Sequence, residues 1–245
     1  MLAIVIAVGG TGRFLTYGAS AVSIFCFNTF SMIKIDLHTH SILSYDGGLR
    51  TSDYEKLFAK KVLDCIAITD HNEITFAQEA HKRFGEKVIV GEEIGTSDGE
   101  VIGLFLTKRV LPGLSFVETA KAIHEQKGIV YIPHPFEIKR SSVQRERVRG
   151  MEQKIDIVEV FNARGFLRGK TDEAVAFART HELAQAAASD AHGTYGIGSA
   201  FSIIDTMPKA TTISSLLKKG TLEKRHAPLW SLLYPTMNRL GKKFL

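Results

Sequence analysis

The chain is 245 residues long, carries a net charge of +5, and is 44% hydrophobic and 23% charged. Those values suit one large globular domain with short appendages, and they exclude a predominantly disordered chain, a collagen repeat and a coiled coil. The two cysteines, Cys26 and Cys65, lack the spacing of a disulfide framework, a zinc knuckle or a redox pair, and they fit a reducing, cytoplasmic setting.

Residues 1–31 carry a single charged residue, Arg13, among apolar and small side chains. A secretory signal would place positive charge at its start. A membrane anchor needs about 20 predominantly apolar residues, and 14–33 is diluted by Thr, Ser, Asn and Gly. The favoured expectation is a non-native or weakly ordered extension, with the folded chain opening at Met32 on a strand-like run, so membrane association is not expected.

From Met32 the chain alternates. Short apolar runs at 33–37, 64–69, 87–91, 101–106, 129–133, 155–160 and 184–188 read as strands, with a further one at 201–205. Helical patterns lie between most of them, at 52–62, 73–84, 115–127 and 171–181. Thr51 or Ser52 is placed to cap the first helix with Glu55, and Ser115 with Glu118 to cap the third. The segment 142–153 is polar and Arg-rich, a weaker helical signal.

Strands buried on both faces read as continuous apolar runs, and their alternation with helices implies parallel pairing. The expected architecture is an α/β barrel of about seven parallel strands over 32–205. Residues 206–245, with Pro208, Pro228, Pro235, Trp230 and one helical piece near 211–219, read as an appendage. That tail is basic: seven Lys or Arg from Lys218 onward stand against Glu223 alone, whereas residues 1–217 hold 24 basic and 25 acidic residues. A solvated terminus is the plain reading, and contact with nucleic acid or an anionic surface is the alternative.

The chemistry sits at the strand ends. His38 and His40 lie two apart after the first strand, which turns both rings to one side in extended chain. Asp46 lies in the loop that follows, His71 after the second strand, and Glu93 after the third. His134 follows the fifth strand and Asp190 and His192 the seventh, whereas His81, His124, His181 and His226 fall on helices or in the tail and read as structural or solvated. In a parallel barrel such ends open on one face. This many N and O donors without a thiolate exceeds the needs of one ion and points to two or three divalent ions sharing a carboxylate. The donor mix suits Mn, Fe or Zn better than Mg.

Asp36-Leu-His-Thr-His-Ser41, Thr69-Asp-His-Asn72, Gly91-Glu-Glu93, Pro133-His-Pro135 and Ser189-Asp-Ala-His192 together resemble the PHP family, named for polymerase and histidinol phosphatase. Glu159-Val-Phe-Asn-Ala-Arg164 is similar to the segment that precedes the last motif in stand-alone members. The resemblance covers about residues 33–205 and implies a distorted barrel of seven strands that binds up to three Mn, Zn or Fe ions and cleaves phosphate esters. It places His38, His40, Glu93 and Asp190 on one ion, Glu93 and His134 on a second, and Asp46, His71 and His192 on a third. Asp70 would stand behind a ligand and orient it. Two departures stand out: Gly99-Glu-Val-Ile-Gly103 carries no His where many members have one, and the short run between Pro135 and Ile155 omits a helical insertion, leaving a more open cleft.

The expected reaction is attack of a metal-bound hydroxide on a phosphomonoester, with phosphate held by Arg164 and by Lys139 or Arg140. His192 or a bound water would protonate the leaving group. Asn72 and Asn162 read as loop-fixing residues. Nucleotides, oligonucleotide ends, sugar phosphates and histidinol phosphate all fit as substrates, the open cleft and basic tail leaning toward the first two. Two other classes compete: an amidohydrolase-type barrel, and a metal-stabilised, nucleic-acid-associated binding module with weak catalysis.

Overall fold

The computed structural model describes residues 32–137, 141–166 and 170–243, so the expectation for residues 1–31 lies outside the described residues. Nine strands form one sheet: β1 (Ile33–Thr39), β2 (Cys65–Ile68), β3 (Val88–Thr96), β4 (Gly99–Leu104), β5 (Ile129–Ile132), β6 (Ile157–Asn162), β7 (Ala184–Ala188), β8 (Ala200–Ile204) and β9 (Thr221–Lys224), in the order β7-β6-β5-β4-β3-β2-β1-β8-β9. The sheet nearly closes on itself. Thr39 bridges Ala191 beyond β7, and the His40 amide donates to the Ala191 carbonyl at 2.9 Å.

Helices α1 (Thr51–Ala59), α2 (Thr75–Phe84), α3 (Phe116–Glu125) and α5 (Thr171–Thr180) fall where the 3.6-residue pattern places them. Only one turn of helix, α4 (Arg145–Val148), forms in the Arg-rich segment. Ser115 and Glu118 cap α3 reciprocally, the Glu118 amide donating to Ser115 Oγ and the Ser115 amide to Glu118 Oε2. The cap of α1 lies one residue earlier than expected. The Arg50 amide donates to Asp53 at 2.9 Å, so Thr51 already belongs to the helix.

The all-parallel expectation needs correction. β1–β2, β2–β3, β5–β6 and β6–β7 are parallel, but β4 runs antiparallel to both β3 and β5, and β8 runs antiparallel to β1 and β9. Ser97 and Asp98 alone join β3 to β4, and a parallel crossover needs a dozen or more residues. The Asp98-Gly99 pair is the hairpin signal, and Gly99 at φ 123° adopts a backbone that a side chain would strain. Residues 206–243 contribute helix α6 (Ile213–Lys219), β9, and helix α7 (Tyr234–Lys243) behind a short 3-10 turn.

Alternation along the strands separates two cores. Ile66, Ile68, Val88, Val90, Val130 and Val158 face outward to Tyr54 of α1, Phe76 of α2, Phe116 of α3 and Phe177 of α5. Ile35, Cys65, Ala67, Ile89, Tyr131 and Ile157 face inward, and Ile213 and Leu217 of α6 join them. The inward parity of Ile89 and Ile157 is also that of Glu93 and Glu159, so these two carboxylates are carried to the barrel interior. Among the described residues no helix is long and apolar enough to cross a membrane.

Candidate metal centre

Strands β1 and β3 and the loops after β1, β2, β5 and β7 bring the expected donors to one rim. Four groups of side chains lie within bonding reach of a common point: His40, Asp46, His71 and His192; His38, His40 and Asp190; His38, Glu93 and His134; and His71, Glu93 and Glu100. Every residue expected as a ligand is present, and one more joins them. Glu93 stands at the middle. Its Oε2 lies 3.3 Å from both His38 Nε2 and His40 Nε2 and 3.4 Å from His71 Nδ1, while Oε1 lies 3.1 Å from His134 Nε2. Asp190 Oδ1 lies 3.6 Å from His38 Nε2 and 3.4 Å from His40 Nε2. On the far side Asp46 meets His192 Nε2 at 3.3 Å and His71 Nε2 at 3.7 Å.

The extra residue is Glu100. Its carboxylate lies 3.7 Å from His71 Nδ1 and 3.9 Å from His134 Nε2, in the stretch that lacks the histidine common in the family. Because β4 is antiparallel, its beginning rather than its end opens on the rim. A search of strand C-termini therefore passes it by, although the Asp98-Gly99 turn marks the reversal.

Partners behind the ring nitrogens set their direction. His38 Nδ1 is 2.9 Å from Glu159 Oε2, which leaves Nε2 to point into the cluster. His134 Nδ1 lies 2.9 Å from Ser142 Oγ, and His192 Nδ1 lies 2.9 Å from the Asp190 carbonyl. Glu159 is a hub that sequence reading did not single out as a site residue. It also accepts from Tyr131 Oη at 2.6 Å, the His134 amide at 3.0 Å and Asn162 Nδ2 at 2.6 Å. Asn162 extends this link to Asp190 Oδ2, and Asn72 holds the Gly95 amide at 2.9 Å. His134 (φ 28°) and Asp190 (φ 50°) both have positive φ, a local cost that recurs where side chains are aimed for chemistry.

Asp70 touches no ligand ring. Its carboxylate accepts from the Ser41 amide at 2.6 Å and from the Ser41 hydroxyl, which holds the turn after His40. Arg164 reaches the cluster, Nη1 lying 3.4 Å from Asp190 Oδ1 and 3.1 Å from His192 Nδ1. Lys139 and Arg140 lie outside the described residues. The helix and tail histidines make contacts elsewhere, such as His81 with the Val88 carbonyl and His124 with Asp156.

The donor set fits divalent ions. Burial lowers the pKa of His40 to about 4, an effect the His192 charge reinforces, so its ring is neutral as a metal ligand must be. Burial opposes ionisation of Glu93, yet the His71 and His38 charges hold it well below the usual carboxylate range. Burial, followed by the Glu93 charge, pushes Glu100 up to about 7. Two acids crowded in a buried pocket repel one another when both ionise, and a cation between them relieves that cost. Removing divalent ions with a chelator is therefore expected to lower the melting temperature. An ion present at 100 times its Kd adds about 2.7 kcal/mol, which is roughly 5–10 °C for a domain of this size. Scanning fluorimetry with and without EDTA measures the shift, and an unchanged Tm would count against bound metal.

A mixed barrel that gathers His and carboxylate donors on one rim has the architecture of a metal-binding α/β barrel. The family model described as the PHP domain matches residues 36–197, and the chain belongs to that family. An uncharacterized protein of Methanocaldococcus jannaschii is 36% identical over 173 residues, which cover 69% of each chain. A two-domain protein from Bacteroides vulgatus containing a predicted PHP-like metal-dependent phosphoesterase shares the fold with a TM-score of 0.63, at 18% identity, over 85% of this chain and 70% of that one. The lesion-specific endonuclease Q of Pyrococcus furiosus superposes with a TM-score of 0.57, at 14% identity, over 78% of this chain and 57% of its own.

Proposed function

We propose that this chain hydrolyses a phosphomonoester with two to three divalent ions, Mn, Zn or Fe, held by His38, His40, Asp46, His71, Glu93, Glu100, His134, Asp190 and His192. The observation that carries this reading is an arginine aimed into the donor cluster. Arg164 is mostly buried beside Asp190 and His192, and its Nε has no hydrogen-bond partner among the described residues. The guanidinium also lines the cavity over the cluster, where its planar fork suits a phosphate oxygen. Ions bound at the cluster would acidify water toward neutrality and neutralise the phosphate oxygens.

The chain's own residues do the rest. Arg164 orients the phosphate against the rim, and Glu159 fixes the His38 ring and the His134 backbone so that the donors need not rearrange. Both nitrogens of His192 are engaged, Nε2 by Asp46 and Nδ1 by the Asp190 carbonyl, which suits a ligand better than a proton donor. A cavity of about 500 Å³ opens over the cluster, large enough for a nucleotide-sized molecule. Its walls include Tyr45 and, unexpectedly for a solvated tail, Arg239. Arg239 pairs with no carboxylate among the described residues and offers a second cation to an anionic substrate. Nucleotides and oligonucleotide ends fit that arrangement best, sugar phosphates and histidinol phosphate less well. A cytoplasmic setting belongs to this reading, because Cys65 is a buried free thiol.

The test is a substrate panel on the Mn-loaded chain and its Arg164→Met variant, comprising nucleotides, phosphorylated oligonucleotide ends, sugar phosphates, amides and lactones. Phosphate release by the parent and a loss of about 10²–10³-fold in kcat/KM for the variant are expected, the usual scale for removing one preorganised charge-stabilising donor. Turnover of an amide or lactone with phosphate esters untouched would transfer the chain to the amidohydrolase reading.

A further inference from the structure

The basic C-terminal helix is not spread over solvent but is pinned to the loops that carry the donors. Asn238 and Lys242, four residues apart and so on one face of α7, point toward the rim. Asn238 Nδ2 donates to the carbonyls of Asp46 at 2.8 Å and His192 at 2.9 Å. Lys242 Nζ donates to the carbonyls of Ile42 at 2.7 Å and Gly47 at 2.8 Å, and to that of Ser44. An ammonium has three donors, and here all three are spent on one loop.

Two glycines make room for the helix. A Cβ on Gly48 would lie 2.9 Å from Asn238 Nδ2, and one on Gly193 would lie 2.6 Å from the Tyr234 ring. The loop from 41 to 47 is also held by its own turns, the Ser44 amide donating to the Ser41 carbonyl and the Gly47 amide to the Ser44 carbonyl, each at 3.2 Å, and the Leu43 amide donates to Ser41 Oγ at 3.1 Å. Its Ser44 hydroxyl reaches Asp46 Oδ1 at 3.0 Å, and its ends are tied by the Ser41 contacts to Asp70 and the Ile42 amide to the Leu49 carbonyl. Asp46 belongs to the donor group with His40, His71 and His192, and Asn238 grips the backbone of two of those four residues.

We propose that α7 is a built-in clamp for one metal position, with Asn238 and Lys242 as positioning residues that hold Asp46 and His192 at bonding distance from a shared ion. The inference rests on the metal-binding reading above. Sequence distance makes it testable, since the clamp lies more than forty residues from the nearest ligand it serves. A carboxylate on a loose loop pays an ordering cost each time it binds, and the clamp removes that cost in advance. The tetrad position therefore depends on the C-terminal helix, whereas the position around His38, Glu93 and His134 does not.

The experiment is a titration of the metal-stripped full-length chain with Mn(II), followed by calorimetry, for the parent, Lys242→Met, Asn238→Asp and Met237→Ala. Asn238→Asp keeps the size of the side chain and removes its donor, so it serves if Lys242→Met folds poorly. Met237 is exposed on the same helix and controls for nonspecific effects. Expected is a 10–100-fold weaker affinity of one Mn equivalent in the two clamp variants, with the remaining equivalents and the Tm of the stripped protein unchanged, and no change in Met237→Ala. Full stoichiometry and affinity in both clamp variants would overturn the clamp while leaving the metal centre in place. Absence of Mn, Zn and Fe binding by the parent would overturn the metal reading and the clamp with it.

Discussion

Replacing Glu93 with glutamine is expected to cost at least one bound ion per chain and to lower kcat about 10³-fold or more. Glu93 joins two of the four donor groups, and its two oxygens face His38, His40, His71 and His134 at 3.1 to 3.4 Å. An amide keeps the shape but offers one neutral oxygen where the carboxylate offers two charged ones. Metal-assisted charge stabilisation supplies several kcal/mol, and each 1.36 kcal/mol is tenfold in rate, so losing a shared ligand removes about three powers of ten. Mass spectrometric metal counting alongside steady-state kinetics checks both parts. A variant that retains full metal and activity would show that Glu93 does not bridge ions.

Glu159→Leu is expected to weaken metal binding about 10–100-fold and to destabilise the protein by roughly 3 kcal/mol, although Glu159 belongs to none of the four donor groups. Removing such an outer partner of a ligating histidine typically costs that much affinity. The stability loss follows from what is stranded. Tyr131 Oη, the His134 amide and Asn162 Nδ2 all donate to this carboxylate, and a buried donor left without an acceptor costs about 1–3 kcal/mol. Glu159→Gln keeps an acceptor oxygen and is expected to fall between parent and Leu. Denaturant unfolding of the metal-stripped proteins isolates the stability effect, and metal titration gives the affinity. Equal stability of the Leu variant and the parent would mean that water replaces the lost acceptor.

The strand and helix positions were legible because each depends on a local pattern. Apolar runs ended within a few residues of β1, β2, β5 and β7, and Ser115-x-x-Glu118 capped α3 by contacts three residues apart. The donors at these strand ends were legible for the same reason: a ligand after a parallel strand sits at a fixed offset from an apolar run. Strand direction was harder. The run at 101–106 looks the same whether it pairs parallel or antiparallel, since both place alternate residues inside. That ambiguity hid Glu100, because reversal of β4 brings its first residues to the rim instead of its last.

Glu159 was hidden differently. Inside the run Ile157–Asn162 its charge is an oddity that local sequence cannot interpret, for its partners His38, Tyr131 and His134 come from two other strands and their loops. The tail shows the limit most clearly. By composition the residues from Lys218 onward are a basic, proline-interrupted stretch, which is also how a solvated terminus reads. Whether Lys242 meets water or three backbone carbonyls is decided only when the loop from 41 to 47, nearly two hundred residues earlier, is folded beneath it. The amino-acid sequence by itself determined the alternation of strands and helices, the family, and the donors at the ends of parallel strands, because these follow from short-range periodicity and spacing. The reversal at β4 is carried by the local Asp98-Gly99 turn, but tertiary structure alone decided the hub at Glu159 and the seating of α7. The hub and the seating both depend on hydrogen bonds between segments distant in the chain, whose pairing no local pattern encodes.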